Sequence, residues 1–217
     1  MKSDIVNNFS KFLNSLSDTR KKVNLGNISF KIYYEMFRIR EAQWKYKGDF
    51  ERRRDHSTSE IFQDLIAHYL KRALPSNFNV ILEEKSGKLM PDILIRKDNK
   101  NWSIIEIKTN IGWDRDLIKE GNHKVRLKQL NNEFKVPLKR VFYIFETIGN
   151  VGKDFERKVL NNEYRGDIFP LCKVLPSPYY IKEVREYRKF SDKEIKNLYS
   201  ENKITDFKEI INTVINK

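Results

Sequence analysis

The sequence holds a single cysteine, Cys172, so no intrachain disulfide can form and a cysteine-built zinc site is excluded. Cys172 sits in an apolar stretch and is expected as a small core residue rather than a nucleophile. The only histidines, His56, His68 and His123, are too dispersed to form a compact metal signature, and structural or phosphate-contacting roles are expected for them. No Gly-x-x-x-x-Gly-Lys-Ser/Thr stretch occurs, which leaves ATP-driven translocation unsupported. No apolar run approaches the roughly 20 residues that span a bilayer, and the N-terminus lacks the continuous apolar stretch of a secretory signal. The expectation is a soluble, cytoplasmic protein with no membrane partner. Internal repeats and low-complexity segments are also missing.

What is abundant is basic charge. Lys and Arg number 43 against 30 Asp and Glu, a formal net charge of +13. Such an excess points to a polyanionic partner, nucleic acid above all, with local concentrations at Arg20-Lys21-Lys22, Arg52-Arg53-Arg54 and Lys139-Arg140. Lysine-rich surfaces also promote solubility, so no one cluster identifies a groove contact. The 217 residues, 39% hydrophobic, suit one domain with a genuine core.

Periodicity gives an order of elements. Ser57-Thr58-Ser59-Glu60 has a capping-box pattern, and Ile61, Phe62, Leu65, Ile66, Tyr69, Leu70 and Ala73 follow at helical spacing until Pro75. Phe78 to Glu84 reads as a first strand. Asp92-Ile-Leu-Ile-Arg and Trp102-Ser-Ile-Ile-Glu-Ile-Lys read as a hairpin around Asp98-Asn99-Lys100-Asn101. A second helix falls within His123 to Phe134, and Val141 to Phe145 reads as a buried strand, parallel to its neighbour.

Within the hairpin, alternation puts Glu106 and Lys108 on one face and Ile107 on the other. Asp92 shares that face if it lies opposite Glu106 or Lys108, so that paired residue numbers sum to 198 or 200. That parity calls for a loop with an odd residue count, most simply three; a two-residue loop would turn Asp92 away. Two carboxylates and a lysine so placed suit a divalent metal beside a phosphate. Carboxylate oxygens hold Mg²⁺ through one or two ligands while it keeps water and takes a phosphate oxygen, and a nearby ammonium orients water or stabilises the transition state.

Pro91-Asp92, thirteen intervening residues and then Glu106-x-Lys108, after a helix carrying Glu60, resembles the PD-(D/E)XK nuclease superfamily. The traceable likeness covers residues 57–146. It implies an α/β, restriction-endonuclease-like core: a mixed central sheet, an antiparallel meander plus a parallel strand, flanked by helices. Residues 1–56 and 147–217 are expected as N- and C-terminal helical additions to a single nuclease domain, 1–217.

The resemblance implies a Mg²⁺-dependent DNA endonuclease, with Mn²⁺ as a substitute, that leaves 5′-phosphate and 3′-hydroxyl ends. Asp92 and Glu106 would bind metal, Lys108 would position or activate water, and Glu60 would contribute directly or through water. A glutamate three residues after Ser57 also satisfies a cap, so metal site and cap weigh evenly for Glu60; Asp64, one turn on, is its rival. Only one of Glu83 and Glu84 can face Asp92's side, which makes each a weaker candidate. Gln129 resembles a glutamine that some members use beside the scissile phosphate, with Lys128 as its neighbour, although a solvated helix face explains both.

Outside the core, Ile5, Val6, Phe9, Phe12, Leu13 and Leu16 form an apolar stripe, and Phe30, Tyr33, Met36, Phe37 and Trp44 suggest a longer helix. Arg38, Arg40, Lys45, Lys47 and Arg52, Arg53 and Arg54 gather toward its end, for a DNA-facing arm or a subunit contact. Gly149 and Gly152 mark a turn, residues 154–161 read as helical, and Ile168 to Val174 as a strand that Pro170 confines to an edge or interrupts. Ser191-Asp-Lys-Glu194 is a second capping box, and Asp206 to Ile215 is amphipathic. Within the endonuclease class, a stand-alone chain of this size with helical decorations resembles a type II restriction endonuclease more than a small junction resolvase or a nuclease module of a larger machine, which implies action on double-stranded DNA as a homodimer matched to a palindrome. The alternatives are a structure-directed repair, recombination or mobile-element nuclease, a silent DNA-binding module of the same fold, and an RNA-binding helical protein with an accidental motif.

Overall fold

The structure, a computed structural model, describes residues 27–45, 56–109, 121–146, 168–172, 189–202 and 205–216. The stripe at 5–16, the Arg20 cluster, Lys47, Arg52, Arg53 and Arg54, and residues 149–161 lie outside that set. Helices α1 (Ile28–Lys45) and α2 (His56–Ala73) precede strands β1 (Phe78–Leu82), β2 (Ile93–Lys97) and β3 (Lys100–Thr109). Helix α3 (Asn122–Phe134), strands β4 (Val141–Glu146) and β5 (Ile168–Cys172), and helices α4 (Asp192–Asn202) and α5 (Phe207–Asn216) complete the set. The chain is therefore α/β, and its sheet runs in the order β1-β2-β3-β4-β5. β1, β2 and β3 form an antiparallel meander, and β3, β4 and β5 are parallel.

Both sheet faces are covered, which is why β4 is almost continuously apolar and β3 buries the run Ile104, Ile105 and Ile107. On one face Ile93, Ile95, Ile105, Ile107, Phe142 and Ile144 pack with the apolar sides of α1, α2, α4 and α5. On the other, Leu94, Ile104, Tyr143 and Phe145 receive Leu127, Leu130 and Phe134 of α3. Truncating a fully buried aromatic such as Phe142 would cost about 3–5 kcal/mol. Pro170 stands on the edge strand, paired with Phe145 on one side only, as its missing N–H requires. Among the described residues, no helix is long and apolar enough to cross a membrane.

Three local expectations are corrected. The first strand ends at Leu82, because Glu83 turns into the left-handed region (φ 53). Helix α2 is already under way at His56, so Ser57 lies inside it and the Ser57–Glu60 pair does not mark its start. The hairpin loop has two residues, not three: Asp98 (φ 49) and Asn99 (φ 62) are both left-handed, the signature of a type I′ turn, and Lys97 pairs with Lys100. A β-bulge restores the parity that this turn would spoil. Arg96 pairs with Asn101 but Ile95 with Ser103, so Trp102 is the extra residue and the sums change from 197 to 198. Trp102 is fixed by its Nε1–H donating to the Val214 carbonyl (2.6 Å) and by Arg140 and Lys97 over its ring at 3.3 and 4.4 Å. Arg140, expected in a basic cluster, is thus engaged with an aromatic ring.

The Ser191 capping box is formed as expected: Glu194 N–H donates to Ser191 Oγ (3.3 Å), and Ser191 N–H donates to Glu194 Oε2 (2.8 Å).

Candidate active site

The bulge decides where Asp92 points. Beyond Ile93↔Ile105 the register carries Asp92 opposite Glu106, on the face that Leu94 and Ile104 share with α3. One carboxylate oxygen of Asp92 accepts the Ile107 N–H at 2.6 Å, which continues the strand pairing through a side chain. Lys108, two residues past Glu106, takes the same face. The group lies where β3 ends, and α3 follows β3 as the crossover to parallel β4; the outside of such carboxyl ends is where open α/β sheets bind ligands.

Glu106 is 5% exposed, and Asp92 is half-buried. Burial pushes the Asp92 carboxyl above its ordinary range; the Ile107 N–H, Lys108 and Arg126 pull it back, and the Glu83 charge adds to the rise. Glu106 is also raised, first by burial and then by Asp92 against the pull of Arg126 and Lys108. A buried and a half-buried carboxyl facing each other are held at a cost that a shared cation would remove.

Arg126 of α3 meets Glu106 with a two-pronged grip, Nε to Oε2 at 3.1 Å and Nη2 to Oε1 at 3.3 Å, and Nη2 also donates to the Met90 carbonyl at 3.0 Å. Helix position alone points to Lys128 and Gln129 instead, but both are exposed on the same helix. A signal was available. Arg126 follows buried His123 by three residues and precedes buried Leu130 by four, so it borders the sheet-facing stripe.

The remaining acids form a second group joined to the first by Glu83. Gln63 of α2 donates to Glu83 Oε1 (3.2 Å) and to the Asp92 carbonyl (3.3 Å). Burial raises Asp64, and the Glu83 and Glu60 charges raise it further. Glu60 is exposed and acts on Asp64, whereas Asp92 feels Glu83. Glu83 is thus the acid whose charge acts on both Asp64 and Asp92. Glu84 is in an ion pair with Arg96 (3.0 Å), and of the two glutamates Glu83 is the one whose charge acts on Asp92. His68, packed edge-on against Tyr69, is pushed toward its neutral form by burial and by Arg72 and Lys71, which suits a structural role.

No protein-family model, curated protein or solved structure matches this chain. Among the described residues, no three His, Cys, Asp or Glu side chains are arranged to hold a metal ion. The donor set still fits Mg²⁺ chemically, because that ion takes one or two carboxylates and completes its shell with water and phosphate oxygen. Asp92 and Glu106 are the pair available.

Proposed function

We propose that the chain is a divalent-metal-dependent DNA endonuclease of the PD-(D/E)XK type. The observation that carries this reading is the cross-strand alignment of two carboxylates, buried Glu106 and half-buried Asp92, on one face with Lys108. A surface hairpin has no reason to draw two facing acids out of solvent, whereas a cation site has.

Asp92 and Glu106 would hold Mg²⁺, or Mn²⁺ in its place. Bound there, the metal would lower the pKa of water and offset charge building on the phosphorus. Lys108 orients the attacking water and donates to the phosphate as charge develops. The Ile107 N–H fixes one Asp92 oxygen and leaves the other for the cation. Glu83, linked to the Asp92 backbone through Gln63, adds negative potential at the site. The partner is double-stranded DNA, consistent with the net charge of +13, and the compartment is the cytoplasm. The finer assignment is a type II restriction endonuclease working as a homodimer and leaving 5′-phosphate and 3′-hydroxyl ends.

Cleavage of supercoiled plasmid and long linear DNA by wild type, Asp92→Ala and Lys108→Ala, each with Mg²⁺ and with EDTA, tests this. Discrete Mg²⁺-dependent bands that vanish in both variants are the expected result. A smear with the same dependence would replace the restriction assignment with a structure-directed or nonspecific nuclease. Binding without cleavage on either DNA would leave a silent module.

A further inference from the structure

Arg126 is half-exposed yet spends two of its donors on Glu106. Those bonds, at 3.1 and 3.3 Å, take up the same oxygens a metal would need. Its bond to the Met90 carbonyl anchors the guanidinium independently of Glu106, and among the described residues Nη1 has no acceptor.

Resting on the metal-site reading above, we infer that Arg126 is a displaceable counter-ion. It occupies Glu106 while metal is absent and must release that carboxylate for a divalent cation to bind. DNA phosphate is the ligand that draws it away. Arg126 is a positioning residue in this scheme, acting through Glu106. Metal and DNA binding become coupled: phosphate engages the freed fork, and each ligand strengthens the other by the same factor. The protein would then assemble its metal site on DNA and bind metal weakly without it.

The test is Mn²⁺ binding, read as loss of the free-ion electron paramagnetic resonance signal, for wild type, Arg126→Gln, Arg126→Lys and Glu106→Gln. Each is measured with and without a short duplex carrying non-hydrolysable phosphate linkages, with circular dichroism as the folding control. Removing a charge-assisted fork should tighten Mn²⁺ binding without DNA by about tenfold or more in Arg126→Gln. The gain that DNA gives wild type should disappear in that variant. Arg126→Lys, which keeps a cation and loses the fork, should lie between, and it decides the matter if the glutamine variant fails to fold. Unchanged or weaker Mn²⁺ binding in both arginine variants, with binding still lost in Glu106→Gln, overturns the counter-ion role and leaves the metal site intact. Wild type that binds no more Mn²⁺ than Glu106→Gln, with or without DNA, removes the metal site and this inference together.

Discussion

Two arginine–glutamate pairs in this molecule have nearly the same burial and opposite surroundings. Glu41 of α1 and Glu106 of β3 have side chains 5% and 6% exposed, and their partners Arg38 and Arg126 are 22% and 28% exposed. Around Glu41 the network closes. Arg38 donates to Glu41 at 2.6 Å, to the Phe190 carbonyl at 2.8 Å and to Asp192 at 2.6 Å, while the other Glu41 oxygen accepts the Phe190 N–H at 2.6 Å. Tyr34 completes it by donating to Asp192. Around Glu106 the bonds are longer, the facing group is a second carboxylate, and the cation has donors to spare. Depth of burial therefore does not separate a staple from a site. What separates them is whether the charges nearby complete the pair or compete with it.

That contrast breaks first at the site. Lys108→Ala should lower Mg²⁺-dependent cleavage by about 10²–10⁴-fold while changing thermal stability little. Asp92→Asn keeps an acceptor for the Ile107 N–H and should abolish cleavage. The same variant should make the metal-free protein more stable near neutral pH, because the raised Asp92 carboxyl gives stability that is present below its unfolded pKa and lost as pH rises through the folded one. The gap should close toward pH 3.8, the ordinary value. Denaturant melts in EDTA across pH check the sign, and a wild type that gains stability as pH rises relative to the variant would refute it.

At the staple the expected effect is structural and about 3 kcal/mol. Glu41→Ala leaves Arg38 and the Phe190 N–H without their acceptor, so the melting temperature should fall by about 6–12 °C. Any residual cleavage measured well below that melting point should keep wild-type metal dependence. Glu35, one turn before Arg38 partner positions on α1, sharpens the comparison because burial pushes it up to about 7 against the pull of Arg38. Glu35→Gln should therefore match wild type at pH 4 and exceed it by about 1–2 kcal/mol at pH 8, once partial exposure is discounted. The smallest effect is expected at Ser191→Ala, which removes the cap that starts α4 beside Asp192. About 1 kcal/mol of stability should be lost, with cleavage unchanged.

Much of the scaffold was legible. Helical spacing located α2 and α3 to within a residue or two, Pro75 ended α2, and Pro170 marked an edge strand. Hairpin parity predicts the register that forms, with sums of 198, but through a three-residue loop where the structure has two residues and a bulge. Asp98-Asn99 makes the two-residue turn that Asp and Asn favour with positive φ, and the bulge at Trp102 then shifts the pairing by one. No local pattern announces that bulge, because Trp102 is held by Val214 and Arg140, which are distant in sequence. The basic run on α1 was read as a DNA arm or subunit contact, yet Arg38 is consumed by residues about 150 positions later.

By itself the sequence determined the periodic features: which stretches are helix or strand, that Glu106 and Lys108 share a face, and that a carboxylate pair with a lysine is the chemistry on offer. These follow from the 3.6- and 2-residue repeats and from side-chain type, which are local. Only the tertiary structure decided the partners: Asp92 against Glu106, Arg126 on Glu106, Glu83 rather than Glu84 at the site, and Arg38 in a staple. Long cationic side chains reach several ångströms in many directions, so what they bind depends on which remote segments the packed sheet brings within reach.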